Sequence, residues 1–217
     1  MKNVLIIGMG EFGKQLANEL RDDKVEVCII DQDSSVINLM QTDYPNAFIG
    51  DCMQKQTLIE LGVKNFDMVV VAIGSNFQAS LEITSNLKEL KAKYIISKAA
   101  TDIQAKFLTM AGADEIVYPE KDTAKRIALK TSANNILDCF QINDDYCMFE
   151  IEVPEQWVGT SIKELNIRQK YDVNIIAVKH DNILNLPTPE YTFYNGDHLY
   201  IFGKNKSPLK MEKLNKR

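Results

Sequence analysis

The stretch that decides the fold is residues 4–13, which read VLIIGMGEFG. A short apolar run ends at a glycine, and the glycines that follow match the pattern G-x-G-x-x-G. In a strand–turn–helix context each glycine has its own purpose. Gly8 makes the tight turn, Gly10 lets a pyrophosphate approach the backbone, and Gly13 lets the helix pack closely on the strand. The pattern predicts a nucleotide-binding loop between a first strand and a first helix.

An acidic residue stands where a ribose-binding carboxylate is expected. Asp31 follows the second strand-like run, at the spacing typical of a carboxylate that accepts hydrogen bonds from ribose hydroxyls, and Asp33 could assist it. The helix behind the glycine loop offers free N–H groups and a partial positive charge to a phosphate. The alternative is that the glycines only turn the chain and Asp31 only caps a helix.

Strand and helix signals alternate outward from this loop over the first 120 residues. Apolar runs predict strands at residues 4–7, 25–30, 47–49, 68–73, 94–96 and 115–118. Helical spacing covers residues 11–21, 34–40, 57–61, 77–90 and 103–110, with Ser34 or Ser35 as the cap of the second helix. The alternation predicts an α/β fold, a doubly wound parallel sheet of the Rossmann type with helices on both faces. Right-handed crossovers then place a nucleotide-sized crevice at the carboxyl ends of the strands.

The other candidate site residues follow from the same rule. Asp51 and Cys52 end the third strand, where Asp51 could reach the exocyclic amine of adenine or could instead act as a cap. Ala72, Ile73 and Gly74 end the fourth strand and would form the floor of the crevice. The candidate nucleotide site therefore comprises Gly8, Met9, Gly10, Glu11, Phe12, Gly13, Asp31, Asp33, Asp51, Cys52, Ala72, Ile73, Gly74 and Lys98.

The pattern changes after residue 120. We predict a nucleotide-binding domain over residues 1–120 and a linker helix over 121–140, with Ile136 and Leu137 on its apolar side. A small α+β domain of alternating strands and short helices is predicted over 141–207. Residues 208–217 form a basic tail, either a short surface helix or a frayed end, with anchoring to acidic lipid as a weaker alternative.

Composition excludes several classes of protein. The 217 residues carry 25 basic and 30 acidic side chains, so the net charge of −5 disfavours a general nucleic-acid binder. The longest apolar run, residues 68–73, is far shorter than the roughly 20 residues of a membrane span, so any membrane role is expected through a partner. No secretory signal pattern is present, which predicts a cytoplasmic location. The four cysteines form no Cys-x-x-Cys pair, and we expect buried free thiols.

Candidate catalytic residues are harder to find in the sequence than a nucleotide-binding site. The pattern Tyr-x-x-x-Lys occurs at Tyr94/Lys98 and at Tyr200/Lys204, but both pairs fall in strand-like runs rather than one helical turn apart. Both histidines lie in the second domain. A nucleotide-binding site without evident catalytic residues favours a sensor over an enzyme. The alternatives are an NAD(P)-dependent oxidoreductase with a small C-terminal domain, and a nucleotide-sensing gene regulator, for which no basic helix-turn-helix is evident.

An ordered set of motifs over nearly the whole chain resembles one family. Beyond residues 4–13, the motifs that carry this resemblance are residues 30–31, 50–51, 61–63 (LGV), 71–80 (VAIGSNFQAS), 112–114 (GAD), 118–122 (YPEKD), 162–171 (IKELNIRQKY) and 187–189 (PTP). They resemble the RCK (or KTN) regulatory subunits of bacterial Trk- and Ktr-type potassium transporters, with an RCK-N and an RCK-C domain.

The resemblance implies a function and an assembly. Such subunits pair through a crossover helix and form a ring, commonly an octamer, on the inner face of the membrane under a potassium-conducting membrane subunit. ATP and ADP, or NADH and NAD, favour different ring shapes and so open or close the pore. The effect requires each nucleotide to bind the two ring states with different affinities.

The resemblance also implies two further sites. Glu120 matches a position that holds Mg²⁺ or Na⁺ near the nucleotide phosphates; the alternative is a favourable charge at a helix N-terminus. Several relatives bind cyclic di-AMP between two RCK-C domains, and Arg168 suits a phosphate because its guanidinium donates two hydrogen bonds. The alternative is an ordinary dimer surface. The matching positions are Ile162, Arg168, Asn174, Ile175 and Pro189.

One position departs from the family pattern. Many Ktr-type members carry an arginine in the glycine loop where this chain has Glu11, and that arginine meets the terminal phosphate of ATP across the dimer. A carboxylate repels a third phosphate instead. Lys14, one turn along, would compensate if it points the right way. We therefore expect weaker discrimination of ATP from ADP, which favours ligands of lower charge.

Overall fold

A computed structural model of the chain describes residues 2–21, 25–132, 136–143 and 145–204. The chain divides into two compact units, Met1–Lys121 and Asp122–Arg217. The predicted basic tail, residues 208–217, lies outside the described residues.

The first unit is built on a parallel sheet of six strands. Their order across the sheet is β3-β2-β1-β4-β5-β6, and every neighbouring pair is parallel. Strands β2 and β3 therefore extend the sheet on one side of β1, and β4, β5 and β6 then extend it on the other side, as in a Rossmann fold. The predicted fold class is confirmed. The strands are β1 Lys2–Ile7, β2 Val25–Asp31, β3 Ala47–Ile49, β4 Met68–Val71, β5 Ile95–Lys98 and β6 Glu115–Val117.

Helices cover both faces of this sheet. Successive residues of β1 point to opposite faces, so Val4 and Ile6 join one core cluster while Leu5 and Ile7 join the other. Each fully buried aliphatic side chain contributes about 1.5–3 kcal/mol relative to exposure. The cluster with Val4 and Ile6 contains residues of α1 and α2. The cluster with Leu5 and Ile7 contains residues of α3, α4 and α5. These helices are α1 Glu11–Glu19, α2 Ser34–Met40, α3 Lys55–Leu61, α4 Phe77–Glu89 and α5 Asp102–Ala111.

The linker helix is shorter than the sequence predicts. Helix α6 covers Pro119–Ser132, and Ile136–Gln141 form strand β7 of the second sheet. The predicted helix over 121–140 is therefore wrong for residues 136–140, which form a strand. The apolar pair Ile136-Leu137 continues the helical spacing, but Ile136 is buried in the second unit by pairing opposite Ile151. The apolar spacing of this segment fits both a helix and a strand, and tertiary packing decides between them.

Within residues 136–143 and 145–204, the second unit contains a five-stranded antiparallel sheet and two short α-helices, as predicted for a small α+β domain. The strand order is β10-β9-β11-β8-β7. Side chains of β8 alternate between a buried and a less buried face, with Cys147, Phe149 and Ile151 inside. The remaining elements are β8 Tyr146–Glu152, α7 Ile162–Leu165, α8 Ile167–Tyr171, β9 Val173–His180, β10 Ile183–Asn185 and β11 His198–Lys204.

Aromatic packing and local capping hold the helices on this sheet. The ring centroids of Trp157 and Phe193 lie 5.9 Å apart, and both side chains are buried. Helix α7 begins with a capping box in which Ser161 and Glu164 exchange hydrogen bonds between side chain and backbone. Asn166, with φ of 50°, separates α7 from α8, and asparagine tolerates this left-handed conformation well.

All four cysteines are free and buried, which confirms the expectation from the sequence. Burial raises the pKa of the Cys28, Cys52 and Cys139 thiols to about 12. Within the described residues, no helix has both the length and the apolar character that a membrane span requires.

Candidate functional site

The glycine loop follows directly from β1. Gly8 adopts φ of +96°, a value that glycine reaches without strain, and its amide donates to the Ile30 carbonyl at 2.9 Å. A Cβ atom on Gly13 would overlap the carbonyl oxygen of Gly8, so α1 can start this close to β1 only with glycine at that position. Gly10 is the N-cap of α1 and has open space around the position of its missing Cβ.

Asp31 ties this loop to the second strand. Its Oδ2 accepts a hydrogen bond from the Met9 amide at 2.6 Å, and its Oδ1 accepts one from the Asp33 amide at 2.9 Å. The carboxylate therefore shapes the loop as well as facing the crevice. Each carboxylate oxygen has a second lone pair, so both remain able to accept from a ribose hydroxyl.

A cavity of about 370 Å³ opens at the carboxyl ends of the strands. This volume is in the range of small-molecule sites. Glu11, Phe12, Gly13 and Lys98 are not among its lining residues. Ten of the sequence-predicted residues do line it: Gly8, Met9, Gly10, Asp31, Asp33, Asp51, Cys52, Ala72, Ile73 and Gly74.

The sequence analysis missed the contribution of a second helix N-terminus. Ser75, Asn76 and Ala79 also line the cavity, and the Asn76 side chain caps α4 by accepting from the Ala79 amide at 3.1 Å. Helix α4 follows β4 as α1 follows β1, so the same rule about strand ends would have found it. Gln32, Val36 and Met53 are further lining residues that were not predicted.

The cap of α2 is Asp33, not Ser34 or Ser35 as predicted. Its Oδ1 accepts from the Ser35 amide at 2.9 Å and from the Ser35 hydroxyl at 2.6 Å. The hydrogen bond from that hydroxyl lowers the pKa of the Asp33 carboxyl. Because aspartate and serine are both good N-caps, the sequence alone could not choose between neighbouring positions.

Asp51 and Cys52 lie at the end of β3, beside the cavity. The Asp51 Oδ1 accepts from the Met53 amide at 2.9 Å, a local turn that matches the capping alternative, and the residue still lines the cavity. Cys52 is buried and its pKa is raised to about 12 by burial, so its thiol presents an apolar wall.

Lys98 and Glu120 form an ion pair at the margin of the cavity. The Lys98 Nζ donates to the Glu120 Oε1 at 2.6 Å and lies 5.8 Å from the centroid of the Phe12 ring. Only 12% of the lysine side chain is exposed, against 68% of the glutamate. The hydrogen bond from Lys98 lowers the pKa of the Glu120 carboxyl because it stabilises the ionised form.

A metal ion fits Glu120 poorly without additional ligands. The carboxylate is already engaged by Lys98, and the described residues contain no group of three or more His, Cys, Asp or Glu side chains that could hold a metal ion. Mg²⁺ in nucleotide sites often uses one carboxylate together with phosphate oxygens and water. Glu120 could therefore contribute one ligand, with phosphate oxygens and water supplying the others.

Glu11 and Lys14 lie on the first turns of α1. Their charged atoms are 3.7 Å apart, and the Glu11 side chain is almost fully exposed. An exposed pair of this kind is weak. It places a carboxylate, only partly offset by Lys14, at the N-terminal end of α1.

In the second unit the structure places two of the five cyclic di-AMP candidates side by side. The Ile162 amide donates to the Tyr191 carbonyl, and the adjacent Lys163 amide donates to the Pro189 carbonyl at 2.9 Å. Ile162 and Ile175 are partly buried against the same core cluster. Arg168 on α8 and Asn174 at the start of β9 are both exposed.

A buried carboxylate next to this segment was not predicted. Asp197 is fully buried, and its carboxylate receives hydrogen bonds from the Tyr191 hydroxyl at 3.0 Å and the Tyr194 amide at 2.9 Å. His180 Nδ1 lies 2.7 Å from its Oδ1. Because these partners satisfy both carboxylate oxygens, Asp197 fixes the loop that carries Pro189. In the sequence, the turn pattern Asn195-Gly196-Asp197 was the feature that could have indicated this carboxylate.

Comparison with known proteins agrees with this geometry. Residues 4–119 match the TrkA-N domain and residues 148–214 match the TrkA-C domain. The Ktr system potassium uptake protein C of Bacillus subtilis (strain 168) is 37% identical over 98% of this chain and 96% of its own length. The chain belongs to the Ktr-type RCK family of potassium-uptake regulatory subunits. Within this family, the Ktr system potassium uptake protein A of Vibrio alginolyticus is 28% identical over 98% of both chains.

Solved structures give the same fold at lower sequence identity. The GsuK channel bound to NAD superposes with a TM-score of 0.70 at 18% identity. The match covers all of this chain and 40% of the channel, so this Ktr-type chain spans less than half of the GsuK chain. The AMP-bound form of the Shewanella denitrificans Kef C-terminal domain has a TM-score of 0.52 at 24% identity and covers 60% of this chain and 80% of that domain.

The contact between Gly13 and Gly8 makes a prediction about stability. Gly13→Ala is expected to destabilise the chain by about 1–3 kcal/mol, because the added methyl group must push α1 away from the β1 turn. Urea unfolding followed by far-ultraviolet circular dichroism measures the change. Gly10→Ala is the matched control. It adds the same methyl group into open space at φ of −69° and is expected to unfold within about 1 kcal/mol of the unsubstituted chain. Equal midpoints for the two variants would contradict the prediction.

Proposed function

We propose that this chain is a cytoplasmic subunit that binds an adenine nucleotide and, through it, gates a potassium-conducting membrane subunit. One observation carries the proposal. The cavity formed by the glycine loop, Asp31 and Gly74 lies at the carboxyl ends of a Rossmann sheet, in a chain that matches a Ktr system potassium uptake protein over almost its whole length. The membrane is reached through the partner subunit, and no nucleic acid is involved.

The binding mode follows from the lining residues. The pyrophosphate lies over Gly10 and the N-terminus of α1, where N–H groups without an intrahelical partner point outward. The ribose hydroxyls donate to Asp31, which keeps its hydrogen bond to the Met9 amide. The adenine lies near Asp51 and Cys52, and Gly74 closes the floor of the cavity.

The charge near α1 favours particular nucleotides. Glu11 is exposed at the first turn of the helix and is offset only by Lys14 at 3.7 Å. A third phosphate would meet this carboxylate, whereas ADP, AMP, NAD and NADH bring less charge to it. The GsuK channel bound to NAD is one case in which this fold holds a dinucleotide.

Gating requires more than binding. A nucleotide shifts a ring between two shapes only if it binds the two shapes with different affinity. We infer a homodimer that pairs through α6 and assembles into an octameric ring. The exposed Ile127 on α6 is consistent with a helix that buries an apolar side chain against a second copy.

An oxidoreductase is the weaker proposal. His180 and His198, the only histidines in the sequence, both belong to the second unit, where they contact Asp197 and Glu150. Lys98 at the cavity margin is held by Glu120 rather than by a tyrosine. The available acids, bases and their partners therefore favour a regulatory role.

The first experiment is a calorimetric titration of the full chain with ATP, ADP, AMP, NAD and NADH. We expect at least one of them to bind with one-site behaviour. Gly10→Ala is expected to weaken that binding by about tenfold or more, because its methyl group occupies the approach of the pyrophosphate, which corresponds to about 1.4 kcal/mol. Glu11→Arg is expected to raise the ATP-to-ADP affinity ratio by about threefold or more.

Two results of the same titration would contradict the proposals. Failure of every nucleotide to bind the unsubstituted chain would contradict the proposed sensing function. A large preference for ATP in the unsubstituted chain, unchanged in Glu11→Arg, would contradict the role given to Glu11. Thermal unfolding of each variant without ligand checks that Gly10→Ala and Glu11→Arg remain folded.

Assembly is tested separately by size-exclusion chromatography with light scattering. We expect a mass of eight times the 24.6 kDa chain at micromolar concentration. Ile127→Asp on α6 is expected to reduce the mass, because it buries a charge in the proposed pairing helix. Leu39→Asp, at an exposed apolar position on α2, is the matched control. Monomers alone for the unsubstituted chain would count against the ring.

A second sensing site for cyclic di-AMP is proposed in the second unit. The backbone hydrogen bonds that join Ile162 and Lys163 to the Pro189–Tyr191 segment place an apolar side chain and a proline beside each other, which suits a flat purine. Arg168 is expected to hold the phosphates. Calorimetry with cyclic di-AMP should show binding that Arg168→Ala weakens about tenfold or more, since charge-assisted hydrogen bonds are worth about 1.5–3 kcal/mol. Lys170→Ala removes an exposed charge from the same helix and should change affinity little; equal effects of both variants would contradict the assignment.

A further inference from the structure

A second cavity of the first unit lies near the amino ends of the strands, away from the nucleotide cavity at their carboxyl ends. Its volume is about 300 Å³, at the lower end of the range for small-molecule sites. Asn3 of β1 and Glu26 of β2 line it from the sheet, and Glu60 and Leu61 line it from the last turn of α3. The chemistry of this lining decides which molecule the cavity fits.

The cavity carries two carboxylates that no cation neutralises in the described part of the chain. Glu26 accepts a hydrogen bond from the Asn46 side-chain amide at 3.0 Å, and Glu60 accepts one from the Gln56 side-chain amide at 2.9 Å. Among the residues that the structure describes, neither glutamate forms an ion pair, and the cavity lining contains no lysine, arginine or histidine. Since an amide satisfies a lone pair without cancelling the charge, the cavity attracts a cation.

Much of the remaining lining is apolar and favours a cation with a hydrocarbon part. Cys28, Phe48, Leu61 and Phe66 all contribute to it. Burial, assisted by the negative charge of Glu26, raises the pKa of the Cys28 thiol to about 12, so the thiol is neutral. Aromatic rings attract ammonium groups at their faces, and apolar walls gain free energy by covering an alkyl chain. A bare metal ion gains nothing from such walls.

We propose that this cavity binds an alkyl diammonium ion, a small molecule with an ammonium group at each end of an alkyl chain. One ammonium pairs with Glu26 on β2 and the other with Glu60 on α3, while the alkyl chain contacts the apolar lining. Two carboxylates on two different elements favour a free diammonium ion over the lysine side chain of a partner protein, which brings a single charge. Binding at this site does not depend on the proposed nucleotide function.

Helix α3 connects this cavity to the nucleotide cavity. Met53, two residues before the helix, lines the nucleotide cavity, whereas Glu60 and Leu61 at its other end line the second cavity. A diammonium ion also adds positive charge to the unit that receives the anionic nucleotide. We therefore expect it to strengthen nucleotide binding, and linkage requires the nucleotide to strengthen diammonium binding by the same factor. This coupling rests on the proposed nucleotide site.

The direct test is equilibrium dialysis of the full chain with isotope-labelled 1,4-diaminobutane, at fixed ionic strength and without nucleotide. We expect saturable binding at one site per chain. Glu26→Gln and Glu60→Gln are each expected to weaken this binding by about threefold or more, because each removes one ion pair with an exposed carboxylate. The double variant is expected to weaken it by about tenfold or more.

The control variant is Glu82→Gln, which removes an exposed carboxylate of α4 outside the cavity lining and is expected to change diaminobutane affinity less than about twofold. Two control compounds separate the features of the ligand. 1,4-Butanediol has the same alkyl chain without charge, and Mg²⁺ has the same charge without an alkyl chain. Neither is expected to displace diaminobutane at equal concentration. Thermal unfolding of each variant without ligand shows whether its fold is intact.

The diammonium site is overturned if no saturable binding is found, if Glu82→Gln weakens binding as much as the cavity variants do, or if butanediol or Mg²⁺ displaces diaminobutane at equal concentration. Equally tight binding of Nα-acetyl-lysine amide, which carries one ammonium, overturns it in favour of a lysine-bearing partner.

Calorimetric titration with ADP, with and without saturating diaminobutane, tests the coupling. An affinity gain of about twofold or more is expected, and an unchanged affinity overturns the coupling. Diaminobutane binding by a chain that binds neither ADP nor NAD leaves the diammonium site in place and overturns the proposed sensing function together with the coupling.

Discussion

The 2.6 Å hydrogen bond from the Met9 amide to the Asp31 carboxylate is the interaction on which the first unit depends most. It joins the end of β2 to the loop after β1, while the Gly8 amide bonds to the Ile30 carbonyl alongside. The loop is thereby held open toward the strand ends, and α1 must start where only glycine fits at position 13. The same carboxylate faces the cavity, so one side chain both builds the loop and offers acceptors to a ligand.

Charge at the rim of this cavity is arranged in opposed pairs rather than in a single positive patch. Lys98 is held by Glu120 and Lys14 faces Glu11, so both of these lysines already have a carboxylate nearby.

The sequence predicts the first unit better than the second for a physical reason. Strands buried on both faces read as continuous apolar runs, and glycine and aspartate at their ends mark the crevice, so ten lining residues could be named. Ile136-Leu137 fitted a helix and a strand equally well, and burial against the second sheet decided it. The exposed strand β10 carries no apolar alternation that favours a buried face. Lys98 and Glu120 were each named as candidates, but their pairing depends on the adjacency of β5 and β6, which spacing alone does not give.

The burial of the four cysteines has a practical consequence for labelling this chain. The thiolate is the form that reacts with maleimides, and burial keeps the thiols of Cys28, Cys52 and Cys139 protonated, with pKa values of about 12. Cys147 is buried as well and its pKa is also raised by burial. A cysteine introduced at an exposed position, such as Lys125 or Gln169, would therefore react far faster than the native ones. Fluorophores or spin labels can thus be attached at chosen positions with the native cysteines left in place.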